Sequence, residues 1–104
     1  MKKSIPIELD KVRNLRYGTN ALCQMEDMLG KPISGFEETE TGIKDLRIML
    51  YCGLKWQDRR LSLVEVGNLM DEAISEKGID YLNDKLVEAL ELALGTEKKT
   101  EQEY

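Results

Sequence analysis

The sequence predicts a mainly α fold: a small four-helix domain with a short N-terminal extended segment or β-hairpin. Three observations carry that expectation. The 104 residues are enough for one core and not for two. Four stretches repeat apolar side chains at three- and four-residue spacing, and each is closed by a glycine or a polar turn. Ahead of them, the N-terminal stretch alternates apolar and polar residues with the period of a strand.

Residues 3–17 read as extended. Ile5, Ile7 and Leu9 alternate with Pro6 and Glu8, and Pro6, lacking an N–H, assigns this strand to an edge. Val12, Leu15 and Tyr17 supply a second short strand, with Asp10-Lys11 as the turn. A two-stranded ribbon of this kind needs helices to lie on. The first helix spans about residues 20–29. Thr19 or Asn20 offers its capping oxygen, and Ala21, Leu22, Met25, Met28 and Leu29 share one face. Gly30 and Lys31-Pro32 stop it, and Cys23 falls off its apolar face.

From Ile33 to Gly42 the chain reads as an acidic loop carrying Glu37, Glu38 and Glu40, with Phe36 pinning it to the core. Thr41 can cap the second helix, residues 42–54. Ile43, Leu46, Met49, Leu50 and Leu54 cover one side of that helix, while Ile48 and Cys52 reach round to the other. A helix apolar around most of its girth belongs in the middle of a core, and Cys52 there behaves as a small buried hydrophobe. Residues 53–61 form a polar loop around Trp56.

Ser62-Leu63-Val64-Glu65 is a capping box that opens a third helix, residues 62–76, with Leu63, Val66, Met70, Ala73 and Ile74 on one face. Asp80 caps a fourth, residues 80–94, whose stripe is Leu82, Leu86, Ala89, Leu90 and Ala93, closed by Gly95. Residues 1–95 then make one helical domain, and the polar segment 96–104 a disordered acidic tail.

Composition excludes several function classes. With no histidine the commonest general base and metal ligand are missing, and two cysteines cannot complete a four-ligand zinc site. Glu37, Glu38 and Glu40 have no partner suited to acid–base work, Ser62 is accounted for by capping, and no glycine-rich phosphate loop is present. The expectation is a protein that is not an enzyme and has no catalytic, metal-ligating or cofactor-binding residues. Met1-Lys2-Lys3 is followed by no apolar region of the ~7–15 residues a signal peptide needs. The longest apolar run, Ile48 to Cys52, has five residues, where a membrane span needs about 20. The chain is thus expected to be cytoplasmic, with both thiols reduced and no membrane partner.

A net charge of −5 argues against a nucleic-acid partner. The segment Lys55-Trp56-Gln57-Asp58-Arg59-Arg60 resembles a nucleic-acid patch, but Asp58 interrupts it. The charge is also uneven. Residues 1–60 hold 11 basic and 9 acidic side chains, whereas residues 61–104 hold 4 and 11. Head-to-tail association into a homo-oligomer is therefore electrostatically allowed. Ile48, Val64, Tyr81, Val87 and Leu92 lie outside the core stripes and either cover the N-terminal strands or form a protein-binding surface.

The order of motifs resembles one family. Leu15-Arg16-Tyr17 is followed by Asn20-Ala21-Leu22 and Met25-Glu26, with Met25 where Leu is usual. After the acidic loop come Leu46, Met49-Leu50-Tyr51-Cys52-Gly53-Leu54-Lys55-Trp56, then Gln57-Asp58, Leu61-Ser62-Leu63 and Glu65-Val66. Over roughly residues 7–94 the chain resembles the tail assembly chaperones of long-tailed bacteriophages and their prophages. The resemblance implies a mostly helical protein in the bacterial host cytoplasm that binds the tape-measure protein, keeps it soluble and recruits tail-tube protein subunits. Some members of that family also have a frameshift-extended form.

The candidate protein contacts are Tyr17, Tyr51, Trp56, Arg59, Arg60, Tyr81 and Leu92, because aromatic and Arg side chains anchor interfaces. Two other readings stay open. One is a virion structural or connector protein. The other is a small DNA-binding regulator, although Gly53–Leu61 is longer than the ~3–4-residue turn of a helix-turn-helix.

Overall fold

A computed structural model of the chain describes residues 4–33 and 42–95. In chain order the elements are β1 (Ile5–Glu8), β2 (Val12–Leu15), α1 (Thr19–Leu29), α2 (Ile43–Leu54), α3 (Leu63–Lys77) and α4 (Ile79–Leu94). The mainly α expectation holds, and the extended segment is a two-stranded antiparallel hairpin. Phe36, the acidic loop, Thr41 and the tail 96–104 lie outside the described residues.

The hairpin register pairs Ile5 with Leu15, Pro6 with Asn14, Ile7 with Arg13 and Glu8 with Val12. Paired residues share a face, so Ile5, Ile7, Arg13 and Leu15 point into the protein while Pro6, Glu8 and Val12 face out. Val12, expected to be an inward residue, is instead 60 % exposed. Its spacing of three from Leu15 cannot hold the period of two that a strand imposes.

Pro6 costs no ladder hydrogen bond, because the even-numbered backbone groups point away from the partner strand. That direction follows from their other bonds: Glu8 N–H donates to the Tyr81 hydroxyl, Asn14 N–H to Gln57 Oε1, and Arg16 N–H to the Gly53 carbonyl. Both outer edges of the ribbon are thereby covered, one by α4 and one by the end of α2.

Helix α2 is the centre of the domain, packed against α1, α3, α4 and β2. Leu46, Met49, Leu50, Cys52, Gly53 and Leu54 are all buried along it. One stripe of each other helix meets it or its neighbours: Met25 from α1, Val66, Met70 and Ala73 from α3, and Leu82, Leu86, Ala89 and Leu90 from α4. Of the residues outside the expected stripes, Ile48, Tyr81 and Leu92 pack partly buried on the core, whereas Val64 is 68 % exposed. Ile43 and Ala93, read as core from periodicity, are exposed, because they sit in end turns that no other described element buries.

Of the described glycines, Gly53 has the closest neighbours. A Cβ there would stand 2.6 Å from the Tyr17 ring and 2.9 Å from Leu15 Cδ2. Its absence lets Tyr17, 5 % exposed, lie flat on the helix with its hydroxyl donating to the Met49 carbonyl at 2.6 Å.

The helix ends correct three capping expectations. Ser62 and Glu65 form the reciprocal box, at 3.1 and 2.9 Å. The other N-caps, however, are Gly18, Gly42 and Gly78 with no side-chain cap, where Thr19 or Asn20, Thr41 and Asp80 were expected. Gly78 both ends α3 and starts α4, at φ 88° and ψ 158°, a region essentially restricted to glycine. Asp80 therefore falls inside the first turn, where its charge still favours the helix dipole.

Two substitutions test this packing by urea denaturation. Leu50→Ala, in a fully buried site, is expected to lower stability by about 2–5 kcal/mol. Gly53→Ala is expected to lower it by about 1–3 kcal/mol through the clash with Tyr17 and Leu15, the reverse of the usual gain from Gly to Ala in a helix.

Candidate functional site

The structure separates the seven candidate contact residues. Tyr17 is corrected to a core residue, since its hydroxyl and ring are both engaged inside. Tyr81 is half-buried, its hydroxyl accepting from Glu8 N–H at 3.0 Å and its ring lying beneath Lys77 and Lys85. It fastens β1 to α4. Leu92 is half-buried against the core. Arg60 is 94 % exposed in its side chain and, among the described residues, reaches only Asp58, at 3.8 Å. Trp56 and Arg59 line one groove after the C-terminal end of α2, Lys55 links Tyr51 to Arg59, and Arg16, which sequence reasoning did not single out, lies over Trp56.

Trp56 is the only tryptophan and is 45 % exposed. Its Nε1–H donates to the Asn14 carbonyl at 3.0 Å, and Gln57 accepts from the Asn14 N–H at 3.1 Å. The two side chains thus occupy the place of a neighbouring strand along β2. The indole is fixed by its edge, leaving part of the ring in solvent. The Arg16 guanidinium lies 5.4 Å from the ring centroid, within cation–π range.

Lys55 stands between them, with Nζ donating to the Arg59 carbonyl at 2.7 Å and lying 5.2 Å from the Tyr51 ring. The Lys55 bond holds the turn after α2 in shape. Trp56, Lys55 and Arg59 form one wall of an open groove of about 340 Å³ whose other wall is Asn20, Ala21 and Gln24 of α1. Among the described residues neither Arg16 nor Arg59 has a carboxylate partner. The groove is an aromatic seat with cations at its rim.

A second groove, of about 210 Å³, runs between α2 and α3. Ile43, 55 % exposed, lines it with Met70 and Ile74, while Lys44 and Arg47 of α2 face Asp71 of α3. Gly67 leaves the space: a Cβ there would meet Arg47 Cδ at 3.5 Å. Arg47 Nε is buried with no hydrogen-bond partner among the described residues. Periodicity places Ile43 in the core, whereas the structure leaves it 55 % exposed at the groove.

A third cleft, of about 440 Å³, lies between the hairpin turn and α3. The buried Arg13 guanidinium spans it, holding Asp10 through two bonds of 2.8 and 3.0 Å and Asp58 at 3.6 Å. Hydrogen bonding to Arg13 holds the Asp10 carboxyl below its ordinary value. The third carboxylate, Glu65, is held by Ser62. Each acid here is tied to a structural partner, so the network fastens the turn after α2 to the hairpin. Among the described residues no group of three acidic or thiol side chains is placed to hold a metal, and no helix is long and apolar enough to cross a membrane.

The two thiols differ. Cys23 is exposed on α1 and Cys52 buried, and burial pushes the Cys52 thiol up to about 11. Burial likewise pushes the Tyr17 phenol up.

Compared with known proteins, the chain matches no family model, and neither a curated sequence nor a solved structure matches it.

A thiol reagent is expected to modify Cys23 at once and Cys52 only when the protein unfolds. The buried acids also set an alkaline limit. The unfolded chain releases the Cys52 proton near 9.0 and the folded chain near 11, so above pH 9 the unfolded state binds fewer protons and stability falls as pH rises. The melting temperature is expected to drop between pH 9 and 11, and less steeply in Cys52→Ala.

Proposed function

We propose that the chain is a tail assembly chaperone of a long-tailed bacteriophage or prophage. It binds the tape-measure protein in the host cytoplasm and recruits tail-tube subunits. The observation that carries this reading is the groove between α2 and α3. Ile43, Met70 and Ile74 offer an apolar seat, with Lys44 and Arg47 on one helix and Asp71 on the other. An amphipathic helix docks in such a seat through anchors at three- and four-residue spacing. The tape-measure protein is the long helical partner whose apolar stripe needs that cover. The ordered motifs from Leu15-Arg16-Tyr17 to Glu65-Val66 support the family; the groove supports the way it binds.

Co-expression with the tape-measure protein encoded nearby tests the reading. The partner is expected to become soluble and to purify with this chain. Ile43→Lys, at an exposed position, is expected to reduce the complex about tenfold without unfolding the chaperone. A tape-measure protein that stays insoluble and alone overturns the proposal. So does retention of this chain in finished particles, which would make it a structural component.

A further inference from the structure

We propose that the Trp56 groove is one half of a contact between two copies of this chain, the other half being the outer stripe of α4. The groove supplies a half-exposed indole with Arg16 stacked on it and Arg59 beside it, and neither arginine is neutralised by a carboxylate among the described residues. A surface of this kind fits a helix that presents both acids and apolar side chains.

Such a helix is present on the same chain. Asp80, Asp84, Val87, Glu91 and Leu94 follow one another at spacings of 4, 3, 4 and 3 and so form one stripe along α4. They lie away from the core stripe of Leu82, Leu86, Ala89 and Leu90. Asp80, Asp84 and Glu91 have no cation partner among the described residues, and Leu94 is 50 % exposed. Lys85, the one cation on the helix, is turned to Glu88 and the Tyr81 ring. Three acids and two apolar side chains on α4 thus meet an indole and two unpaired arginines.

The two surfaces belong to different elements. The groove is built by α1 and the segment after α2, while α4 lies against α3, β1 and α2. One copy can present both at once, so the contact is heterologous and adds copies head to tail. The charge imbalance of the two halves of the sequence then has a physical use: it steers unlike surfaces together and disfavours like ones. The inference is independent of the tape-measure reading, because it concerns the pure chain.

Sedimentation velocity over a wide concentration range tests it, together with the emission of the sole tryptophan. The mass is expected to rise above the monomer value of 11.9 kDa with concentration, to fall back in high salt, and to rise alongside a blue shift of Trp56 emission. Arg59→Glu and the double variant Asp84→Arg/Glu91→Arg are each expected to weaken association at least about tenfold. Mixed together, they are expected to form a one-to-one dimer, because one retains the stripe and the other the groove. All of these positions are away from the core, and circular dichroism checks that each variant is folded. A wild-type chain that stays monomeric at low salt overturns the proposal. Association insensitive to salt and to these substitutions also overturns it, as does failure of the mixed variants to pair.

Discussion

The fold depends on how closely the chain after β2 can approach the last turn of α2. Gly53 offers no side chain, so the Tyr17 ring rests directly on the helix, its hydroxyl donates to the Met49 carbonyl, and the Arg16 N–H satisfies the Gly53 carbonyl at 3.0 Å. The Gly53 carbonyl belongs to the end of a helix, where acceptors have no partner within the helix. One missing methyl group therefore joins sheet to helix by packing and by two hydrogen bonds. Everything around it inherits that geometry. The hairpin is held at a fixed height, Trp56 and Gln57 emerge beside Asn14, and Arg13 arrives within reach of Asp58.

That arrangement also explains why the only tryptophan is half outside. Its N–H is anchored on the backbone of β2, in the position a third strand would occupy, and the ring cannot turn inward without losing that bond. The exposed aromatic area is thus a by-product of protecting a strand edge, and Arg16 and Arg59 stand near it with no carboxylate partner among the described residues. The α2–α3 groove has a different origin. Gly67 removes the side chain that would fill the space over Arg47, leaving an apolar channel between two helices. The described residues thus form two grooves of unlike chemistry, one lined by Ile43, Met70 and Ile74 and one by Trp56, Lys55 and Arg59.

How much of this was legible before the structure depends on the residue. Helical periodicity located all four helices, because burial of one face is what holds a helix in a small domain. The Ser62 and Glu65 box was readable because both partners lie within four residues of each other. Other caps were misplaced, since Thr19, Asn20 and Asp80 have the right oxygens but the chain turns at glycines just before them. The chemistry of Tyr17 suits a surface anchor, but its burial depends on Gly53, 36 positions away in the chain. Arg16 was overlooked for the matching reason, as its significance comes only from lying over Trp56.

The sequence by itself determined the element types, the central place of α2, the inert setting of Cys52 and the uneven distribution of charge. These follow from local spacing and composition, which act within a few residues or over the whole chain. Only the tertiary structure decided which side chains share a surface: Tyr17 inside, Trp56 half outside beneath Arg16, Ile43 in a groove instead of the core. The physical reason is that exposure is set by what packs across from a residue. For these positions the opposing group lies on another element, at a separation no periodicity records.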